Sequence, residues 1–592
     1  MQVHRRRRRL AGRDRGMTTV FDEEETLPRA AAEPCAPPAE GRNRNAGAIG
    51  AALFLAACGG ESAGGGGDQP VAAAPAPAPS TPIVVVEAKP TAAEASRFLH
   101  QATMGATREQ IDAVMAKGYA AWLDEQFATP RDTSHWDWLV AGGFNVIGNQ
   151  YNEAGFDATM WRQLIADPAQ LRQRVGMALL EILVVGVAGI GGNFRQFAMA
   201  AYVDMLLDKA FGNYRDVLEA VTLSPAMATF LTFMGNRKAN ATTGAMPDEN
   251  YARELLQLFT IGLQQLNMDG TVKMSGGVAL ETYGSADVSG LARVFTGLNW
   301  ASSDSSTPER TRMPLVMNAS WHEAAPSSFL GTTVSGEGMA AIRSALDTIF
   351  AHPNVPPFVS KQLIQKLVTS NPSPAYVARV AAVFADNGAG VRGDLKAVVR
   401  AILLDAEARG AAVPASTTAG KLREPIMRLT AWARAFKVSS PSNAWAFGDT
   451  SAVTNRLGQS PGRSGSVFNF FRPGYVPPAT RLSDAGMVAP EFQLANEQSV
   501  VGYVNYMQIL VGMGAGDAKA DYAAMLAKAG DSAALVAEAN LLLAAGQLSA
   551  AAVQTIQGAV DSVSTTAANG PINRVGIAVL LTLAAPDFLT LK

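Results

Sequence analysis

From about Pro90 to the C-terminus, apolar residues recur at helical spacing. Ser373 fits an N-cap and Pro374 the first helical position, and Val377, Val380, Ala381 and Phe384 then fall at i, i+3, i+4 and i+7. Thr107 to Gln110 reads as a capping box, Gly118 as a helix stop, and Tyr119 to Phe127 as the next helix. The same period predicts helices at 158–186, 198–211, 214–222, 251–262, 339–351, 357–369, 394–404, 421–436, 489–513, 532–545 and 574–584. Period-two runs are scarce. They fall in 263–335, where Met313–Asn318 and Ser328–Val334 are suited to a hairpin and Asp304–Arg312 to a loop. The expected fold is mainly α: a multi-helical, two-lobed body with a small β-hairpin excursion. A body of about 500 residues exceeds one ordinary core, so lobes are expected at 90–410 and 411–592, parted near Gly410 to Pro414. Val575 to Leu583 reads as a buried C-terminal helix, and no repeat has a fixed period.

Ahead of the body the pattern changes. Arg42 and Arg44 precede an apolar run, Ala46 to Phe54, which ends in Leu55-Ala56-Ala57-Cys58. A bilayer span needs roughly twenty apolar residues, so this shorter run is a secretory h-region. It resembles a bacterial lipoprotein signal, which implies that Cys58 is lipidated and becomes the mature N-terminus. Residues 1–57 are then leader, with Arg5 to Arg9 part of an over-extended start rather than a nucleic-acid site. Residues 58–89 are the lipidated cysteine and a linker, and 59–82, rich in Gly, Ala and Pro, bury too little to order themselves. The expected setting is outside the cytoplasm, lipid-anchored to the cell envelope on its periplasmic or cell-surface side.

Charge and chemistry narrow the reading. The chain holds 49 Lys and Arg against 51 Asp and Glu, a net charge of −2, and from Cys58 onward the net is −5. No nucleic-acid partner is expected. Cys58 is the one cysteine of the mature chain, so neither a disulfide framework nor a thiolate metal site is expected. His100, His135, His322 and His352 form no HExxH-type pattern, and no metal or cofactor is expected. No P-loop, strand-turn-helix GxGxxG or GxSxG elbow is read from the chain.

The candidate cleft lies in 247–262. Tyr251, Leu255, Leu258 and Phe259 form an apolar stripe, and Asn250, Arg253, Glu254 and Gln257 a polar one, at i, i+3, i+4 and i+7. Such a stripe lines a cleft or a solvated face. Glu249 and Glu254 sit about 140° apart on a helix and make no catalytic pair; Glu249 suits an i, i+4 ion pair with Arg253. His322, with Glu323 beside it at a turn, is the candidate general base, against a satisfied turn residue. Lys421 and Arg423 are candidate anion-binding groups, against a structural salt bridge in Lys421-Leu422-Arg423-Glu424-Pro425. Phe468 to Phe471 offers aromatics to a sugar or peptide, or to the core.

Several phrases occur together: Arg97-Phe98-Leu99 through Thr107, Leu171-Arg172-Gln173-Arg174-Val175, Gly235-Asn236-Arg237-Lys238, Pro247 to Leu255, Arg293-Val294-Phe295-Thr296-Gly297, Trp321-His322-Glu323, Gly420 to Pro425, Ser466 to Phe471 and Ala585 to Leu589. In this order, from about residue 93 onward, they resemble the bacterial family called domain of unknown function 1800. The resemblance implies export and an envelope or surface setting. It also implies a possible partner among exported proteins that resemble sulfatases or phosphatases. The chain departs from the family pattern at Glu323, at Ser327 and Ser328, and at Ser224. The expected function is an exported, lipid-anchored accessory or binding protein of the envelope. The alternative is a hydrolase of an envelope or extracellular polymer.

Overall fold

The computed structural model describes residues 89–335 and 338–592. The expected leader, Cys58 and the linker up to residue 88 lie outside the described residues. Thr91 opens the first helix, Ala92–Ala102: its hydroxyl accepts the Glu94 N–H, and the Glu94 carboxylate accepts the Thr91 N–H at 2.9 Å. Two orphan donors of the helix start are thereby satisfied. The box expected at Thr107 is half made. Thr107 caps the Gln110 N–H, but the Gln110 side chain instead accepts Arg434 at 3.0 Å.

Among the described residues, 24 α-helices stand against eight strands of two or three residues each, so the fold is mainly α with small hairpins. Most predicted helices recur within a few residues; 339–351 and 214–222 recur at their expected ends. The 158–186 prediction is split at Asp167–Ala169 into Phe156–Ala166 and Gln170–Ile182. Pro168 disfavours helix at the preceding residue, and the Asp167 carboxylate accepts the Ala169 N–H at 2.7 Å. The β excursion is three separate pairs, the first of them Met274–Ser275 with Val278–Ala279. Ser327–Phe329 folds back on Thr332–Val334, whereas Val316–Met317 pairs with Leu298–Asn299. A fourth pair, long-range, joins Lys421–Leu422 to Thr590–Leu591.

The described residues all lie in one compact unit, Val84–Lys592. One apolar cluster runs from Ala95 to Phe588. Packing crosses Gly410: Ala92–Ala102 lies on Ser532–Ala544, and Phe156–Ala166 on Pro425–Ala435. The C-terminal helix Gly570–Ala584 buries Val575, Ala578, Val579 and Leu583. Among the described residues no helix is long and apolar enough to cross a membrane.

Helix Ser285–Val294 packs closely on strand Ser327–Phe329. A Cβ at Gly290 would stand 2.0 Å from the Ser328 carbonyl oxygen, and Ser327 Oγ donates to the Gly290 carbonyl at 2.7 Å. Gly290→Ala is therefore expected to cost about 1–3 kcal/mol through forced separation of helix and strand. Calorimetry checks this; an unchanged melting temperature would show that the contact is slack.

Candidate functional site

The 247–262 segment is not a uniform α-helix. Asn250–Glu254 is α-helical, and Leu255–Thr260 is wound as a π-helix. Thr260 Oγ1 donates to the Leu255 carbonyl five residues back, at 2.5 Å, within that wider turn. Such turns re-aim side chains and recur at functional sites. Tyr251, Leu255 and Phe259 are buried as the period predicts, but Leu256 is buried too, while Leu258 is only partly covered and lines a groove beside Gln257.

The polar stripe has mixed surroundings. Asn250 Nδ2 donates to the Leu231 carbonyl at 3.3 Å. Arg253 pairs with Glu249 at 3.0 Å, the expected i, i+4 contact, with both side chains partly exposed. Glu254 is 9 % exposed, and its Oε2 has no hydrogen-bond partner among the described residues. Burial raises its pKa, with Arg253 opposing. The buried Tyr283 hydroxyl also has no hydrogen-bond partner, and burial raises its pKa; Arg253 opposes the rise and Glu254 adds to it.

His322 and Glu323 belong to another place, around Thr296. His322 is 3 % exposed, with Nδ1 2.9 Å from the Thr296 carbonyl oxygen. A carbonyl only accepts, so Nδ1 donates, and Nε2 is left buried without a hydrogen-bond partner among the described residues. The Glu323 N–H donates to Thr296 Oγ1, and its carboxylate accepts the Ala325 N–H. Among the described residues, neither side chain hydrogen-bonds to Asn250, Arg253, Glu254 or Gln257.

The groove has a volume of about 700 Å³. It lies between the π-turn, the loop Gly262–Val272, helix Val355–Leu367, and the loop segments around Asn371, Pro473 and Val488. Gln257, Gln362 and Asn371 supply amides to its wall, Leu258 and Phe358 supply apolar surface, and Lys361 supplies a cation.

Under this wall lies a buried charge cluster. Lys421 Nζ is 2.9 Å from Glu491 Oε1 and 3.3 Å from Glu424 Oε1, and it donates to the Lys366 carbonyl. Lys366 Nζ is 3.1 Å from Glu181 Oε2, and the Glu181 carboxyl adjoins that of Glu424. Gln459 donates to Glu424 Oε2 at 2.9 Å, and Arg174 donates to the Lys366 carbonyl. Two adjoining carboxyls in a dry site do not both ionise. Burial, with Glu424 adding, pushes Glu181 up to about 8. Burial acts on Glu424 in the same sense, but Lys421 and Lys366 outweigh it and hold Glu424 well below the usual carboxylate range. The pair thus shares one proton. Ser370 links cluster to groove: it lines the groove, its Oγ donates to Glu491 Oε2 at 3.4 Å, and its carbonyl accepts Gln365 Nε2 at 3.0 Å.

Both candidate anion-binding groups face inward. Lys421 is held by Glu424 and Glu491. Arg423 donates to the Phe588 carbonyl and to His100 Nδ1, each at 3.0 Å, and burial lowers its pKa to about 9. Phe471 is buried, with Lys366 Nζ 4.2 Å from its ring centre. Arg174, Lys421, Glu424 and Phe471 come from three sequence phrases far apart along the chain. Glu181, Lys366 and Glu491 escaped the sequence reading. Glu181 had a usable signal, as the lone charge in the apolar run Val175 to Val185.

The spelling G-x-S-x-G does occur, at Gly458-Gln459-Ser460-Pro461-Gly462, and corrects the sequence reading. It lies on a loop without the strand and helix of a nucleophile elbow. Ser460 is buried, and its Oγ accepts the Thr450 N–H at 3.2 Å. Among the described residues no group of three or more His, Cys, Asp and Glu is placed to hold a metal ion.

A family model described as Protein of unknown function (DUF1800) matches residues 97–590. No curated protein and no solved structure matches the chain.

Proposed function

This chain belongs to the DUF1800 family, and we propose that it is an exported, lipid-anchored accessory protein of the bacterial cell envelope that binds an envelope or extracellular polymer in the Gln257–Lys361 groove. The groove carries this reading. Its Gln257 and Gln264 amides suit hydrogen bonds with hydroxyl or amide groups, the Gln362 and Asn371 amides being bonded to the Leu258 and Val488 backbone, while Phe358 and Leu258 cover apolar faces. No acidic side chain lines it among the described residues. The Glu181–Glu424 carboxyls are buried behind its wall. That chemistry favours holding a polymer over cleaving it. An exported sulfatase- or phosphatase-like enzyme acting on the held polymer fits the accessory role. Leu55 to Cys58 supports the lipid anchor.

A hydrolase is the second reading, and Glu254 favours it. A carboxyl with a raised pKa and a free Oε2, three residues before groove-lining Gln257, has the makings of a general acid.

The test uses the full chain. Cys58→Ser is expected to move the protein from the membrane fraction to the soluble fraction; continued membrane association would sink the anchor. The soluble variant should co-sediment with isolated, insoluble envelope polymer. Adding Gln257→Trp should abolish co-sedimentation with little change in melting temperature, because the Gln257 side chain lines the groove and makes no hydrogen bond among the described residues. Unimpaired co-sedimentation would remove the groove from the binding site. Glu254→Gln separates the two readings: release of soluble fragments from the polymer, lost in this variant, would establish the hydrolase.

A further inference from the structure

Among the described residues the groove has one charged side chain, Lys361. The ammonium makes neither an ion pair nor a hydrogen bond among the described residues, in contrast to neighbouring Lys366, which holds Glu181. Asp269, on the loop beside Lys361, turns its carboxylate onto Thr271 at 2.6 and 2.9 Å. The loop passes close to the lysine stem: a Cβ at Gly270 would lie 3.6 Å from Lys361 Cδ. Burial lowers its pKa. A partly desolvated cation without a counter-charge is a poor structural element and a good receptor for an anion. The surrounding groups are uncharged. Gln257 and Gln264 make no side-chain hydrogen bonds among the described residues, so their amides are free to receive hydroxyl groups.

We infer that the groove takes a strand of acidic polysaccharide, with one sugar acid group on Lys361 and hydroxyls on the Gln257 and Gln264 amides. This rests on the polymer-binding reading above and names the polymer's chemistry. A carboxylate and a sulfate ester share the required anion, and the ligand set separates them. Charge complementarity favours an acidic strand over a neutral one. The amide lining also accepts peptide groups, so an acidic peptide is the competing occupant that the test includes.

Titration calorimetry of the full chain bearing Cys58→Ser provides the test. The probes are an oligogalacturonate hexasaccharide, its methyl ester, a sulfated carrageenan hexasaccharide and a hexaglutamate peptide. Either the carboxylate or the sulfated saccharide should bind at least about tenfold more tightly than the ester, the scale of one charge-assisted contact. Lys361→Gln should erase that preference, and Lys361→Arg should retain much of it, with melting temperature reporting that both variants fold. Equal binding of acid and ester overturns the acid site and leaves the polymer-binding reading standing. Tighter binding of the peptide overturns the saccharide assignment. No binding of any saccharide, together with no envelope co-sedimentation, removes both proposals; co-sedimentation without saccharide binding removes only this one.

Discussion

Lys421→Met is expected to destabilise the protein by about 3–5 kcal/mol, enough to unfold a marginal fold. The ammonium sits between Glu424 and Glu491, and all three groups are buried. Removing it leaves at least one carboxylate charged without its main partner, in a place that water does not reach. The Lys366 carbonyl also loses a donor. Arg253→Gln supplies the contrast. Its ion pair with Glu249 is partly solvated, so its loss should cost well under about 1 kcal/mol. Urea midpoints for the two variants check the difference. Equal, small shifts would mean that water reaches the cluster. Isolated loss of polymer binding by Lys421→Met, at unchanged stability, would instead make the lysine a ligand contact.

The Glu181 contribution to stability should fall as pH rises from about 4.5 to about 8, opposite in sense to that of buried His100 and His135, and Glu181→Gln should remove it from the pH profile. The folded protein holds the Glu181 proton more tightly than the unfolded chain does. Its contribution is complete below the unfolded carboxyl pKa, near 4.5, and is lost as pH climbs through about 8. Glu424 acts in the opposite sense. Its folded pKa is depressed, so its contribution is present above the ordinary carboxylate range and fades as pH falls below it. Together they place the pair's greatest stabilisation in mildly acidic solution. The Glu181 effect is on the order of a few kcal/mol. Denaturant midpoints at about pH 5 and about pH 8.5 measure it. An identical pH slope in wild type and Glu181→Gln would assign the proton elsewhere.

The helices were legible because their signals are local. Ser373 and Pro374 start a helix wherever the chain goes, and the spacing of Val377, Val380, Ala381 and Phe384 lays out its buried face. The ion pair of Glu249 with Arg253 was legible for the same reason, one helical turn being short-range geometry. The π-turn at Leu255–Thr260 was not, because its residues all suit an ordinary α-helix and the added residue is accommodated by packing. That turn sends Leu258 toward the groove and buries Leu256.

By itself, then, the sequence determined a mainly α body, the family to which it belongs, and most of the helices that carry the groove. Tertiary structure alone decided what the charges do. Lys361 and Lys366 stand five residues apart on one helix, yet one faces a groove without a counter-charge and the other is held by Glu181. His322 and Glu254, side by side as candidates, were assigned to different places by the packing around Thr296 and the π-turn. A charged residue has the same spelling in water and in a core. Its pKa and its reach depend on dielectric and on partners brought from distant parts of the chain, as Glu181 is brought to Glu424, and only the folded chain supplies both.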